Sequence, residues 1–479
     1  MSEEKNTNTE SANANTAEVK QEYAVDEVVP KAARHYGFWD MVATWLGANA
    51  TPSSWYTGGV IAALGLAGGL TIILVANPIA YAVMALVGYM GYKVGTSTMG
   101  LARASFGIRG SLMPTVLNAI QFVGWCSVNT YFAAVAMTFI FQSVFGTPAY
   151  GEEGYKPIMV AGVLICSAIQ VLIVAVSGSH SIKIAERFAM VLLIGLTIWQ
   201  TVILVQNYDL SVLLTWTPPA DIHIPFGKGM DIMVAFSFGW IPAICDFTRY
   251  TKKKSGATIA PMIGANVALF WFAIVGLIGV IVTASETGIF DPDASDPSSV
   301  MNALGLGWAA MIILVVATCT TNCVNIYAAS MSINNIIPRA GARKTIIIVA
   351  IITIAGSLLP VASGSLVYYF MTFLEYIGMI FAPFLPILLI DFYVVKKRNY
   401  DWSQAAKVGG AYWYKNGFNP RAVIAWFAGM AFYFLANNTG FIMDTIGAIY
   451  ATTIVTAIIY LVIVKICPET PAESIKASQ

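Results

Sequence analysis

Charged residues are scarce in this chain of 479 residues: Asp, Glu, Lys and Arg make up 11% of it, against about 25% in an ordinary soluble domain. Apolar residues make up 57%. A chain with so little charge and so much apolar surface belongs to the membrane class of proteins. We therefore expect a lipid bilayer around it and no nucleic-acid partner.

Residues that build enzyme and metal centres are also few. The sequence has 3 histidines, all in loops or at the ends of apolar runs, which argues against a histidine proton relay. The 6 cysteines lie almost all inside apolar segments and lack metal-ligand spacing, which is typical of packing thiols. A Walker motif is absent as well. We expect a protein that is not an enzyme and binds no cofactor other than a coupling ion.

Long apolar runs dominate the rest of the chain, and each is long enough to cross a bilayer as a helix. About twelve spans are predicted, at residues 38–66, 68–92, 111–146, 157–178, 181–206, 229–248, 257–284, 299–336, 344–363, 365–395, 421–438 and 440–466. With a cytoplasmic N-terminus, 24 of the 26 Lys and Arg residues fall on the inner side, as the positive-inside rule requires. This predicts a multi-pass protein of the inner (plasma) membrane with both termini in the cytoplasm.

Two of the predicted spans are interrupted. Residues 47–52 (GANATP) break the first span, and residues 238–242 (FGWIP) break the sixth. A broken helix at membrane depth is tolerated only where it is packed in protein or lines a wet cavity. One break alone is more typical of close helix packing at glycine. Two breaks at corresponding places in two halves of the chain indicate the substrate site of a secondary transporter.

The matching breaks predict an all-α membrane protein with a LeuT-type 5+5 inverted repeat, because an odd number of helices per half inverts the second half. The predicted segments are a disordered cytoplasmic tail at 1–35, a first repeat at 36–206, a second repeat at 207–395, two last helices at 396–466 and a cytoplasmic tail at 467–479.

Polar residues inside two spans indicate what such a site would bind. Gln121 and Trp125 share a face of the third span, where an amide beside an indole suits a flat heterocycle; an interfacial tryptophan is the alternative. Residues 318–325 (TCTTNCVN) form a polar patch in the eighth span. Threonine hydroxyls and the free carbonyls of a broken helix are ligands for Na⁺, although isolated threonines usually bond their own helix.

Acidic residues within predicted spans are functional candidates, among them Asp246, Glu375 and Asp391. Asp246 precedes Arg249 by three residues, which predicts a local ion pair. Asp391 lies close to Lys396 and is interpreted as an end-of-helix charge. Glu375 is either a gating or proton-linked residue or one member of a structural ion pair.

Four motifs carry a resemblance to a known family: residues 100–111 (GLARASFGIRGS), 246–250 (DFTRY), 320–322 (TTN) and 412–420 (YWYKNGFNP). With these the chain resembles the nucleobase-cation-symport-1 family, transporters of purines, pyrimidines, hydantoins and allantoin. The eighth-span string is most similar to that of cytosine permeases. It departs from them at Cys323, where those proteins carry an acidic residue, so cytosine itself is the less favoured substrate.

The resemblance implies a Na⁺ site and a substrate site. The implied Na⁺ ligands are the carbonyls of Gly47, Ala50 and Ala317 and the hydroxyls of Thr320 and Thr321. The implied substrate residues are Trp125, Gln121, Asn325 and Asn49, together with a sixth-span set in which either Phe236 and Ser237 or Phe238 and Gly239 face the ligand.

The function that follows is import of a nucleobase or related heterocycle, of the cytosine or purine class, coupled to Na⁺ by alternating access. The alternatives are a proton-coupled symporter of allantoin, hydantoin or hydroxymethylpyrimidine, and an amino-acid or amine transporter of the same fold.

Overall fold

The computed structural model describes residues 27–176, 179–336 and 341–468, without side chains for most residues next to the two internal gaps. Most of the predicted disordered tail, residues 1–26, lies outside the described residues, as does the C-terminal segment 469–479. The described ranges are all-helical, as predicted, and contain isolated bridges but no strand.

The described ranges hold nineteen α-helices. They are α1 Phe38–Asn49, α2 Pro52–Val60, α3 Gly65–Val94, α4 Thr98–Phe106, α5 Leu112–Phe145, α6 Tyr155–Val176, α7 Ser179–Asn207, α8 Val212–Thr215, α9 Phe226–Trp240, α10 Ile244–Thr248, α11 Lys254–Ala257, α12 Ile259–Thr287, α13 Pro297–Ala303, α14 Gly307–Ile336, α15 Gly341–Ser363, α16 Leu366–Ile390, α17 Pro420–Asn437, α18 Gly440–Met443 and α19 Gly447–Ile466.

Nine helical segments within the described ranges are long and apolar enough to cross a bilayer, fewer than the twelve spans predicted. The first predicted span accounts for part of the difference. Its N-terminal half is α1, whose 12 residues rise only about 18 Å, well short of the roughly 30 Å of hydrocarbon. Its C-terminal half, α2, continues into α3 as one apolar segment, Pro52–Val94.

The first break occurs where it was predicted, at Ala50 and Thr51. Pro52 has no N–H to donate to the carbonyl of Ala48 and forces the residue before it out of the helical region. Thr51 accordingly adopts φ −134° and ψ 155°. Its hydroxyl caps the new helix by accepting from the N–H of Ser54 at 3.3 Å. The chain therefore leaves one helix and starts another within two residues.

The second break differs from the prediction. Helix α9 runs through Gly239 to Trp240, a 3₁₀ turn covers Ile241–Ala243, and α10 follows. Pro242 cannot donate to the carbonyl of Phe238, and the N–H of Ile241 bonds that carbonyl instead. The predicted interruption at 238–242 is thus a change of hydrogen-bond pattern at 241–243 and not an unwound segment.

Close packing holds both broken helices in the protein interior. Helix α12 packs against α1 and α2, and α16 packs against α9. At Gly58 of α2 an added Cβ would lie 2.0 Å from the carbonyl oxygen of Ala273 in α12, so only glycine permits this approach of two backbones. All nine residues of α2 are buried.

Two of the sequence motifs meet far from either break. Gly417 of the motif 412–420 accepts from the N–H of Arg109 at 2.8 Å, and Asn419 donates its N–H to the carbonyl of Phe106 at 2.7 Å. The side chain of Asn419 also donates to the carbonyl of Ser105 at 2.6 Å. These motifs therefore join the loop after α4 to the start of α17.

Candidate substrate and cation site

A cavity lies beside the two breaks and between α5 and α14. The open space among its lining residues, including the part continuous with solvent, is about 410 Å³. Its lining residues come from α1, α2, α5, α9 and α14 and the break at Thr51. They are Ala48, Thr51, Ser53, Trp125, Asn129, Phe236, Trp240, Thr321 and Asn325.

One wall of the cavity is aromatic. The rings of Trp125 and Phe236 pack edge to face, with centroids 5.3 Å apart and planes at 77°. Phe236 and Trp240 are four residues apart on α9, so both face the cavity. Trp240 also packs against Trp45 of α1, at 5.9 Å between centroids. Aromatic side chains from α5 and α9 therefore converge on the cavity, and Trp45 packs behind Trp240.

The other lining residues are uncharged, and all of them except Ala48 are polar. Asn325 is 6% exposed and donates its Nδ2 to the Oδ1 of Asn322 at 3.3 Å. Ser53 donates its hydroxyl to the Oδ1 of Asn129 at 2.8 Å. None of the lining side chains is ionisable at neutral pH. Because an unpaired charge in such a space is costly, the cavity suits a neutral ligand with hydrogen-bonding groups at its edge.

Of the proposed site residues, Trp125, Phe236, Asn325 and Thr321 line the cavity, whereas the other proposed residues of α9 do not. Ser237 is buried and donates its hydroxyl to the Oδ1 of Asn77 at 3.2 Å. Phe238 packs against Tyr450 of α19. Gly239 contributes its carbonyl oxygen to Gln121. The reason is helical periodicity: α9 stays helical through Trp240, so residues 237–239 point to other helices.

Asn49 is a further correction. It is fully buried, and its Oδ1 accepts from the hydroxyl of Tyr81 at 2.6 Å, while its Nδ2 donates to the carbonyl of Trp45 at 3.0 Å. Its own carbonyl accepts from Ser54 at 2.6 Å. Both amide atoms are thus held by protein groups. Asn49 braces the break and does not face the cavity.

Gln121 lies behind the aromatic wall and is 3% exposed. Its Nε2 donates to the Oδ1 of Asn118 and to the carbonyl of Gly239, each at 2.8 Å. Its Oε1 has no hydrogen-bond partner within the described part of the chain. Gln121 therefore supports the wall formed by α5 and α9 instead of lining the cavity.

The predicted cation ligands provide hard oxygen atoms. The buried carbonyl groups of Gly47 and Ala50 accept no hydrogen bond from the described residues, as expected where a helix ends without partners. Thr321 lines the cavity. Thr320 donates its hydroxyl to the carbonyls of Val316 and Ala317, at 2.8 and 3.0 Å. Carbonyl and hydroxyl oxygens without a carboxylate fit a monovalent cation better than a divalent one.

The flagged acidic residues lie away from the cavity. Glu375 of α16 forms an ion pair with Lys228 of α9, one of the two roles predicted for it. Asp391 is fully buried and accepts from the hydroxyls of Tyr400 and Tyr460, at 2.7 and 3.1 Å. Asp391 is the residue that ends α16, as its interpretation at a helix end expects, and it is also a buried acceptor that ties α16 to its neighbours.

Sequence reasoning did not assign Ala48, Ser53, Asn129 or Trp240 to the site. A usable signal existed for two of them. Asn129 follows Trp125 by four residues and Trp240 follows Phe236 by four, which places each pair on one helix face. Ala48 and Ser53 flank the first break, where side-chain directions depend on the geometry of the break itself.

Comparisons with known proteins place this chain in a family. The family described as "Permease for cytosine/purines, uracil, thiamine, allantoin" matches residues 28–462. The purine-uracil permease NCS1 of Arabidopsis thaliana is 28% identical over 425 residues, which cover 83% of this chain and 68% of that protein. The allantoin permease of Bacillus subtilis (strain 168) is 24% identical over 478 residues, 92% and 93% of the two chains.

The solved structures similar in fold include the inward-facing conformation of Mhp1, with a TM-score of 0.75, 18% identity and coverage of 94% of this chain and 96% of that one. A closed conformation of Mhp1, a nucleobase-cation-symport-1 family transporter, has bromovinylhydantoin bound and a TM-score of 0.71 at 19% identity. The relatives are permeases, which confirms that the chain is no enzyme. The chain is a multi-pass membrane protein that belongs to the nucleobase-cation-symport-1 family of permeases for cytosine, purines, uracil, thiamine and allantoin.

Proposed function

We propose that the protein is a secondary active transporter that imports a nucleobase or a related flat heterocycle, of the cytosine or purine class, together with Na⁺ by alternating access. The observation that carries this proposal is the uncharged cavity between Trp125, Phe236 and Asn325. A planar ring stacks on aromatic faces, and its polar edge pairs with an amide. The site thus offers both kinds of contact that a neutral heterocycle needs.

Coupling to Na⁺ is supported by the first break. The carbonyls of Gly47 and Ala50 lie in the same short segment as Ala48 and Thr51, which line the cavity with Thr321. In our proposal Na⁺ is a co-substrate held by these oxygens and by Ala317 and Thr320. If Na⁺ tightens binding of the heterocycle, the heterocycle tightens binding of Na⁺ by the same factor.

The architecture we infer has twelve spans arranged as five, five and two. Residues 36–206 and 207–395 form the inverted repeats, residues 396–466 form the last two helices, and both tails are cytoplasmic in the inner membrane. The two interrupted helices and the sidedness of Lys and Arg support this arrangement.

A proton-coupled symporter of allantoin, hydantoin or hydroxymethylpyrimidine is the second candidate. The allantoin permease among the relatives and the hydantoin bound to Mhp1 favour such ring systems. Proton coupling would draw on a carboxylate outside the cavity, of which Glu375 is the best placed. An amino-acid or amine transporter is disfavoured, because the cavity lining provides no charged partner for an ammonium or carboxylate group.

The test is a thermal-shift screen of the purified protein against purines, pyrimidines, hydantoins, allantoin and amino acids, with Na⁺ or with choline. Stabilisation by a ligand follows its binding. We expect at least one heterocycle to raise the melting temperature, more so in Na⁺, and Trp125→Ala to abolish the shift measured from that variant's own unliganded melting temperature. Stabilisation by amino acids alone would overturn the proposal.

A further inference from the structure

The orientation of one buried amide is fixed by a backbone group. Asn322 of α14 is fully buried, and its Nδ2 donates to the carbonyl of Cys126 at 3.0 Å, to the hydroxyl of Thr130 at 3.2 Å and to the Oε1 of Gln170 at 3.1 Å. A backbone carbonyl only accepts hydrogen bonds. The NH₂ group of Asn322 must therefore face α5 and α6, and its oxygen must face the other way.

The oxygen of Asn322 transmits this orientation to two neighbours. It accepts from the Nδ2 of Asn129 at 3.3 Å and from the Nδ2 of Asn325 at 3.3 Å. Reversing either neighbouring amide would set two carbonyl oxygens against each other. The Oδ1 of Asn129 is in turn occupied by the hydroxyl of Ser53. The Oδ1 of Asn325 is thus an amide acceptor left without a partner among the described residues, and one N–H of the same amide is also unused.

The side-chain amide of Gln121 is also oriented by a bond from its NH₂ group to a backbone carbonyl. Its NH₂ group donates to the backbone carbonyl of Gly239 at 2.8 Å, and its Oε1 is buried without a partner in the part of the chain that the structure describes. Each of the two amides is therefore held through its NH₂ group, that of Gln121 by a backbone carbonyl and that of Asn325 by the oxygen of Asn322. In each the oxygen has no partner among the described residues.

We propose that Asn322 is a positioning residue that fixes the amide polarity of Asn325, so that the cavity selects heterocycles presenting a ring N–H, as in a lactam or imide, to α14. This inference rests on the proposed function and narrows its substrate class. A ring nitrogen without hydrogen, an N-methyl group or a ring oxygen at that edge meets a carbonyl oxygen that cannot donate. Leaving a buried acceptor unpaired lowers affinity by roughly 10-fold to 100-fold.

The test compares matched ligands by calorimetry on the purified full-length protein in Na⁺. The probes are uracil and hydantoin, their 1-methyl, 3-methyl and dimethyl derivatives, and oxazolidine-2,4-dione, in which a ring oxygen replaces one N–H of hydantoin without added bulk. We expect the parent compounds to bind at least 10-fold more tightly than the dimethyl compounds, and one methyl isomer of each parent to retain most of the affinity. The oxygen and monomethyl analogues, each of which keeps one ring N–H, show which N–H is read, whereas equal binding of a parent and its dimethyl derivative overturns the inference.

The positioning role is tested by Asn322→Leu, which removes the constraint and lets the amide of Asn325 rotate. We expect the preference for N–H-bearing ligands to fall to a few-fold, a ratio that a merely structural role would not change. Gln170→Leu is the control, because it removes a partner of the same amide while the carbonyl of Cys126 keeps the orientation. An unchanged ratio in Asn322→Leu, or an equal loss in both variants, contradicts the role.

The outcomes separate this inference from the proposed function. Absence of binding by every heterocycle in the wild-type protein defeats the proposed function. Binding of heterocycles without preference for a ring N–H leaves that function standing and defeats the inference about Asn325. If Asn322→Leu does not fold, the wild-type ligand series still decides, because the polarity of the cavity alone predicts the preference.

Discussion

At the first break Ala50 and Thr51 leave the helical region of backbone conformation, whereas at the second break Trp240, Ile241 and Ala243 stay within it. Both breaks contain a proline that removes one N–H. The first also has a threonine that caps a new helix, so the old helix ends and the carbonyls of Gly47 and Ala50 accept no hydrogen bond among the described residues. The second recovers its hydrogen bonds through a 3₁₀ turn. At the second break the proline only changes the hydrogen-bond pattern of a continuing helix. At the first break the proline together with a capping threonine ends one helix and starts another.

This difference implies that the two breaks have different roles in binding. Free carbonyl oxygens at the first break are suited to a cation, and the continuous helix before the second break presents aromatic side chains at regular spacing. The first broken helix is also packed backbone to backbone against α12 at Gly58, whereas the second meets the side chains of Trp125 and Gln121 at Gly239. Substitutions at the two places should consequently affect different properties.

The largest effect is expected for Gly58→Ala. Its Cβ would lie 2.0 Å from the carbonyl oxygen of Ala273 and 2.5 Å from the Cα of that residue, and packed backbone cannot move aside. We expect the free energy of unfolding to fall by about 3 kcal/mol, seen as a lower melting temperature and aggregation on size-exclusion chromatography.

The matched control is Gly239→Ala, whose Cβ would lie 3.1 Å from the Nε1 of Trp125 and 3.4 Å from the Oε1 of Gln121. Side chains of this kind can shift by a few tenths of an ångström. We expect a nearly unchanged melting temperature and weaker ligand binding. Equal losses of stability at both glycines would contradict the division between the breaks.

The next effect is expected at the aromatic wall. Phe236→Leu keeps an apolar side chain but removes a ring face from the cavity, so the Kd of the heterocycle should rise about 10-fold. Phe238→Leu is the control, because Phe238 packs against Tyr450 and not toward the cavity. Titration calorimetry measures both, and a similar rise in Kd for the two variants would show that α9 is not helical up to Trp240.

A smaller effect is expected at the cation side. Thr321→Ala removes a hydroxyl that lines the cavity, and the stimulation of ligand binding by Na⁺ should fall about 5-fold. Affinity measured in choline should stay unchanged. Thr318→Ala is the control, since Thr318 is a buried threonine one helical turn away. Loss of affinity in choline as well would assign Thr321 to the heterocycle and not to Na⁺.

The smallest effect on stability is expected at α13, the short helix that packs against α2. Asp296 caps α13 by accepting from the N–H of Ser298 at 2.8 Å, and burial raises the pKa of its carboxyl to about 6. The folded protein binds this proton more tightly than the unfolded chain, so stability rises as the pH falls from 7 toward 5.

Over that pH interval the gain in free energy of unfolding should be about 1 kcal/mol. Asp296→Asn should remove this part of the pH dependence of the melting temperature. A pH profile that is the same in both proteins would show that burial does not raise the pKa of Asp296 in the folded protein.

Much of the first break could be predicted from the sequence, because Thr51, Pro52 and Ser54 act locally through capping and a missing N–H. The aromatic Trp125 and the amide Asn325 were also recognisable, since a polar or broad aromatic residue in the middle of an apolar helix needs an explanation. The family match confirms the class of transporter that these residues indicated.

What could not be predicted depended on non-local contacts. Ser237 and Phe238 follow the lining residue Phe236 directly in the sequence. Their side chains nevertheless contact Asn77 and Tyr450, which are far away along the chain. Asn49 was assigned to the substrate, yet Tyr81 holds it. Such outcomes depend on which neighbour fills each helix face, and no local pattern in the sequence contains that information.

The most direct test of the account is the Kd of the tightest-binding heterocycle, measured by calorimetry across a range of Na⁺ concentrations at fixed pH and ionic strength and repeated across pH without Na⁺. We predict that Na⁺ lowers the Kd at least 5-fold in the wild-type protein and much less in Thr321→Ala, with little effect of pH. A Kd that does not change with the Na⁺ concentration but changes with pH would contradict a cation site at the first break.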